Sequence, residues 1–389
     1  MDYRKPTAPT AERDVATLYV ALELSLKTWL VALRSSASEK VSLKPLSAGD
    51  QAALFALIDR MQAELYAAGY REVRVVSCYE AGRDGFWLHR RLLEHGVESL
   101  VVDASSVAVP QRARRRKTDR LDVYGLLREL MALTRGESDC RVVRVPTPAD
   151  EDARRLGRER QQLVSERVSH VNRIKGWLAT EGIVDYQPLR RDRRARLAEL
   201  RTALNQPLPT QMAEAISRAL ERLELLLVQL KAIETKRDAI VANPPPDDQN
   251  AAKIRRLAEL KSLANESATR LTREIYYRSF AKQRQLGAFV GLDGSPWRSG
   301  RMDREQGISK AGNRRVRALC IEIALGWLRH QPDSALSQWF RARVGAATGA
   351  FKRKMIVALA RKLVIALWRY LETGQVPTGA VRKPEAARA

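Results

Sequence analysis

Two runs rich in β-branched and aromatic residues, Thr17 to Leu24 and Thr28 to Leu33, are separated only by Ser25 to Lys27. So short a link forces two extended segments to fold back on each other, and the chain therefore opens with an antiparallel hairpin. Val41 to Leu46 is a third, weaker strand. Ala52, Leu54, Phe55, Leu57, Ile58, Met61 and Leu65 then recur at helical spacing, Val73 to Tyr79 is a strand, Phe86 to Glu94 a helix and Leu100 to Val102 a short strand. The order β-β-β-α-β-α-β predicts a mixed sheet covered by helices. A loop with Arg112, Arg114, Arg115, Arg116 and Lys117 leads into a helix from Asp119 to Leu133, apolar through Leu121, Leu126, Leu127, Leu130 and Met131. The first domain is expected over residues 15–138.

Beyond residue 149 the pattern changes. From Ala149 to Ala242 there is no strand signal, and Met212, Ile216, Ala219, Leu223, Leu226, Leu230, Ile233 and Ile240 follow alternating steps of four and three, broken at Arg237. Such heptad spacing predicts either an antiparallel or dimeric coiled coil or a long helix packed within its own chain, over residues 149–246. Pro244, Pro245 and Pro246 end it. A third, mainly helical region is expected over 254–372, interrupted by a Gly- and Ser-rich stretch from Gly287 to Gly312. Its last helix, Phe351 to Leu371, is apolar on one face and basic through Lys352, Arg353, Lys354, Arg361 and Lys362. Residues 375–389 show no pattern and are expected to be a disordered tail.

The charge narrows what such a chain can bind. Of its 389 residues 69 are Lys or Arg and 45 Asp or Glu, a formal net charge of +24, which makes a polyanion the natural partner. No apolar stretch is long enough to span a bilayer, so nucleic acid is preferred to a membrane. Cys78, Cys140 and Cys320 lack paired spacing and are expected to be buried thiols rather than zinc ligands or disulfides. Met1 to Asp14 is polar and charged, unlike a secretory leader, and the expected location is the cytoplasm.

Four acids carry the candidate chemistry. Glu23 interrupts the otherwise apolar Leu18 to Leu24, Glu80 follows the fourth strand, and Asp119 and Asp122 share one helix face. This is the placement of a metal-dependent nuclease of the RNase H type, in which clustered carboxylates are neutralised by Mg²⁺ or Mn²⁺ that assists phosphodiester attack. Near the other end Ser299 stands among Arg298, Arg301, Lys310, Arg314, Arg315 and Arg317, with Gly300, Gly307 and Gly312 permitting close backbone approach. The runs Arg154 to Arg160 and Arg190 to Arg196 offer further phosphate contacts, and nothing in them reads a base. Trp177, Trp297, Trp339 and Trp368 could stack on bases, although core packing is the better reading for at least three of them.

The stretches Tyr19-Val20-Ala21-Leu22-Glu23-Leu24-Ser25, Glu80-Ala81-Gly82, Lys117-Thr118-Asp119-Arg120-Leu121-Asp122, Gly291 to Gly300 and Gly307 to Asn313 resemble the DEDD transposases of the insertion-sequence one-ten family. The resemblance runs from Thr17 to Leu371. It implies an α/β plus α protein with a RuvC-like, RNase H-fold metal domain, a helical coiled-coil middle and a mainly helical, serine-bearing transposase domain. It also implies Glu23, Glu80, Asp119 and Asp122 as metal ligands, Ser299 as nucleophile, and Arg114, Arg115, Arg116, Lys117, Arg298, Arg301, Lys310, Arg314 and Arg315 as nucleic-acid contacts. Donor and target DNA, a structured bridge RNA as guide, a homodimer or tetramer that joins the acids of one protomer to the serine of another, and a nucleoid-associated place in the bacterial cytoplasm complete the expectation. Two positions depart from the family: Glu23 stands where Asp is usual, and Leu260 to Glu266 has no glycine where a Gly-Ile-Gly turn is common. Two other readings compete: a structure-selective endonuclease of the Holliday-junction resolvase kind, hydrolysing with water, and a non-catalytic nucleic-acid-binding protein.

Overall fold

The structure, a computed structural model, describes residues 13–107, 118–138, 140–299, 302–308 and 313–384. The chain divides between Pro146 and Thr147 into two compact units.

The first unit contains β1 (Arg13–Leu24), β2 (Thr28–Ser35), β3 (Ser42–Ser47), α1 (Gln51–Ala67), β4 (Tyr70–Glu80), α2 (Trp87–Glu94), β5 (Glu98–Val102) and α3 (Asp119–Thr134). Its five strands lie in the order β3-β2-β1-β4-β5. β1 pairs antiparallel with β2, as the three-residue link requires, whereas β4 returns through α1 to lie parallel to β1.

Side-chain alternation divides β1 between two cores. Ala16, Leu18, Val20 and Leu22 join Leu54 and Ile58 of α1 and Leu88 and Leu92 of α2. Ala21 faces the other way, with Val76 and Cys78 of β4, against Val123, Leu126, Leu127 and Leu130 of α3. Both sheet faces are therefore covered, and α3 has a face of its own. Thr118 fixes where α3 begins, its hydroxyl accepting from the Leu121 N–H at 3.3 Å.

The second unit begins with α4 (Pro148–Asp152) and α5 (Arg155–Thr180), followed by α6 (Arg193–Glu199) and the long α7 (Thr210–Ala242). α5 and α7 run antiparallel: Ile174 and Leu178 meet Ile216, Ala219, Leu220 and Leu223, while Leu163 meets Leu226, Leu230 and Ile233. The heptad seam is thus filled by a helix of the same chain. The break at Arg237 is an ion-pairing position, where the guanidinium bonds Glu266 and Asp238.

The rest comprises α8 (Ala251–Ala258), α9 (Asn265–Leu271), a π-helical turn at Thr272–Tyr276, α10 (Gln283–Phe289), a hairpin of β6 (Gly294–Ser299) and β7 (Met302–Ile308), α11 (Arg314–His330), α12 (Ala335–Val344) and α13 (Gly349–Thr373). One apolar core joins the helices, with Leu260, Leu319, Trp327, Leu363 and Leu367 inside it. Trp177, Trp339 and Trp368 also pack against cores. Among the described residues no helix is long and apolar enough to cross a membrane.

Two expectations change. The Gly- and Ser-rich interruption contains a β-hairpin, which Gly294-Ser-Pro-Trp-Arg-Ser299 did not announce because it has no alternation of large apolar residues. The stretch after Gly374, expected to lack order, is held as far as the described residues extend: the buried Gln331 amide donates to the Val381 carbonyl and accepts from its N–H, both at 2.8 Å, and Lys383 N–H donates to the Glu259 carbonyl at 2.7 Å. Those backbone bonds supply the order that side-chain pattern could not forecast.

Leu126 is fully buried between α3 and the sheet. Leu126→Ala should cost about 2–5 kcal/mol, read as a lower urea midpoint with an unchanged slope.

Candidate active site

Leu22 of β1 lies opposite Tyr79 of β4 in the parallel register, so the next residues, Glu23 and Glu80, leave the sheet side by side at the carboxyl ends of neighbouring strands. By alternation both belong with Ala21 and Cys78, on the face that α3 covers. Both are half-buried and line one open recess of about 650 Å³, together with Ser25, Lys27, Arg83 and Asp84. The rims are fixed locally. Ser25 Oγ donates to the Thr28 carbonyl and accepts its N–H, and Tyr79 OH donates to the Gly85 carbonyl at 3.1 Å.

Lys27, Arg83 and Asp84 escaped notice in the sequence. Their signal was positional: each sits in a loop at the end of a strand that carries an acid, where open sheets commonly bind ligands. Arg83 pairs with Asp84 at 3.6 Å.

Asp119 and Asp122 occupy the first turn of α3, where the helix dipole favours negative charge. Asp119 is exposed and Asp122 half-buried, on the side of the helix that carries Val123 and Leu126 into the core. Neither lines the recess. Among the described residues no three His, Cys, Asp or Glu side chains stand close enough together to hold a metal ion. The structure thus joins Glu23 to Glu80 and holds Asp119 and Asp122 as a separate pair on the helix above the same sheet face. All four are carboxylates, the type of oxygen ligand that hard divalent cations take.

In the second unit Ser299 is the last residue of β6, opposite Met302 of β7, with Arg298 opposite Asp303. The hairpin is anchored at its base by Asp293, whose carboxylate accepts from Arg361 Nε of α13 at 2.6 Å. Gly287 of α10 makes that contact possible, since a Cβ there would collide with Asp293 Oδ1 and lie 3.2 Å from Arg361 Nε. Arg314 and Arg315 are exposed on the first turn of α11, where Asn313 caps the Arg315 N–H at 2.9 Å. Arg114, Arg115, Arg116, Lys117, Arg301 and Lys310 lie outside the described residues.

Not every cation is available to a polyanion. Arg193 and Arg194 share Glu224, Arg190 bonds Asp192, Arg158 bonds Glu274, and Arg160 bonds Glu234 and Glu266. The segment Leu260 to Glu266, which lacks the glycine turn, sends Leu260 and Leu263 into the core. All three cysteines are buried; burial pushes the Cys320 thiol up to about 12 and raises Cys78 and Cys140 as well, so none is a ready nucleophile.

Acids gathered at strand ends in one unit and arginine-rich helices in the other equip an enzyme to act on a charged polymer. Comparison with known proteins makes this specific. A family model described as "Transposase IS116/IS110/IS902 family" matches residues 254–338. "Putative transposase y4rJ" of Sinorhizobium fredii is 46% identical over 388 residues, covering 97% of this chain and 98% of the relative. "Probable family 20 transposase" of Pseudomonas aeruginosa is 27% identical over 241 residues, 59% of this chain and 66% of the relative. "Transposase for insertion sequence element IS1111A" of Coxiella burnetii is 24% identical over 290 residues, 73% and 74% of the two chains. The chain belongs to the IS116/IS110/IS902 transposase family.

Gly287→Ala should lower stability by about 1–3 kcal/mol, because the new methyl displaces the Asp293 carboxylate from Arg361. Thermal unfolding tests this, and the penalty should shrink when Asp293→Ala is already present.

Proposed function

We propose that this transposase breaks and rejoins DNA strands, with Ser299 as nucleophile and a metal site built from Glu23, Glu80, Asp119 and Asp122. The observation that carries the reading is that Glu23 and Glu80 share a recess on the sheet face covered by α3, the helix whose first turn holds both aspartates. The strand order β3-β2-β1-β4-β5, with three antiparallel strands followed by two parallel ones, supports an RNase H or RuvC-like assignment for the first unit.

Glu23, Glu80, Asp119 and Asp122 would hold Mg²⁺ or Mn²⁺, which when bound supplies charge neutralisation at the phosphate. The longer reach of Glu23 compared with Asp keeps an oxygen ligand at that position. Ser299 Oγ loses its proton and forms a bond to phosphorus as one phosphodiester P–O bond breaks; the departing sugar oxygen gains a proton. Attack by a second DNA hydroxyl reverses this and frees the serine, so the bond energy is kept and no nucleotide is consumed. Ser299 stands at the end of a strand, paired with Met302 of β7. We further propose a homo-oligomer in which acids and serine come from different protomers, and a structured RNA that selects the donor and target DNA by pairing.

Asp122→Asn should abolish strand cleavage while leaving nucleic-acid affinity within a fewfold of wild type, because most binding energy comes from cations on phosphates. Cleavage at the normal rate in saturating Mg²⁺ would defeat the metal site. A covalent protein–DNA adduct should be trapped on a nicked substrate by the wild type and be missing in Ser299→Ala. Equal cleavage by both proteins with no adduct in either would assign the attack to water and favour the resolvase-like chemistry.

A further inference from the structure

In the second unit a narrow niche opens between the start of α5, helix α9 with the π-helical turn after it, and the first turn of α11. Its lining includes Arg154, Arg158, Arg270, Arg273 and Arg315, with Glu274 the sole carboxylate among the residues that line it. Three of these arginines have carboxylate partners: Arg158 bonds Glu274 through two nitrogens, Arg270 reaches Glu266 and Glu322, and Arg273 bonds Asp248.

Arg154 is different. It is 9% exposed, its Nε donates to the Arg273 carbonyl at 3.0 Å, and its guanidinium stacks 4.1 Å from the Tyr277 ring centroid. No carboxylate pairs with it among the described residues, and its buried Nη2 has no hydrogen-bond partner there. The buried Thr269 Oγ1, also lining the niche, is likewise without one. A buried, charged donor left unsatisfied is costly, which makes the pair an acceptor-seeking site. The exposed Arg315 and the amino end of α11 stand at the edge, adding positive potential. The space inside, about 20 Å³, admits one oxygen-sized group and not a whole small molecule.

We propose that this niche seats a phosphate oxygen of a nucleic-acid backbone. One non-bridging oxygen enters to accept from Arg154 Nη2 and Thr269 Oγ1, while the rest of the phosphodiester stays outside against Arg315. An uncharged ligand suits it less, because the charge left unpaired is cationic. The contact fixes the position of a strand without reading its sequence. It concerns binding alone and stands whether or not Ser299 is the nucleophile.

The test uses the full chain, a short DNA duplex of arbitrary sequence and inorganic phosphate. Arg154→Gln should bind the duplex roughly tenfold more weakly, and the slope of log affinity against log salt should become shallower by about one, the loss of one phosphate contact. Inorganic phosphate should raise the melting temperature of the wild type more than chloride at equal ionic strength, and should not do so for Arg154→Gln. Because Arg154 also packs on Tyr277, Arg315→Gln on the exposed rim provides a second measurement, and its slope should fall in the same direction. Unchanged affinity and slope in folded Arg154→Gln and Arg315→Gln would overturn the proposal. Stabilisation by phosphate with duplex binding unaltered in both variants would also overturn it, assigning the niche to a free ion.

Discussion

The parallel pairing of β1 with β4 is the constraint on which the first unit depends. A hairpin alone would leave Glu23 at the end of an isolated ribbon. The crossover through α1 brings a second strand alongside in the same direction, so two residues 57 positions apart finish at the same edge of the sheet, Leu22 against Tyr79 and then the two glutamates. Burial of Leu18, Val20 and Leu22 under α1 and α2 fixes the register of β1, since a slip by one residue would send those side chains to the α3 side and Glu23 to the opposite one, away from Glu80. Placement of the carboxylates is thereby secured by apolar packing that never touches them.

Much of this could be read from the chain itself. Alternation and helical spacing in residues 17–102 are strong signals because the strands bury apolar side chains on the two sheet faces and each helix buries one stripe, and the observed order β1-β2-β3-α1-β4-α2-β5 follows them. Glu23 drew notice as an acid interrupting an apolar strand and Glu80 as one just after another, and their adjacency follows from the parallel register. The β6–β7 hairpin was not legible, because its residues carry neither period. Heptad spacing in α7 correctly marked a buried stripe but could not name its partner, since a helix of the same chain and one of another copy satisfy the same pattern. Lys27, Arg83 and Asp84 have no motif and become visible only when strand ends are brought together.

Charge shows the same division between local and distant information. A composition of 69 basic residues announces a polyanion partner, yet it does not separate cations used inside the protein from those left for a ligand. Arg158, Arg160, Arg193, Arg194 and Arg237 are held by carboxylates that are distant in sequence, whereas Arg154 keeps an N–H in reserve. That distinction is a property of the fold.

The long helix α7 joins the arginine-anchored helices at one end and the tip of the α5–α7 pair at the other. At 33 residues it is about 50 Å long, and Arg237, bonded to Glu266, lies near its carboxyl end. Glu266 of α9 also accepts from Arg160 of α5 at 3.2 Å, so a single carboxylate ties both helices of the pair to α9. Losing Glu266 would deprive two guanidiniums, one on each antiparallel helix, of the same partner at once, so the joint between the helical pair and the core behind it rests on one shared acid.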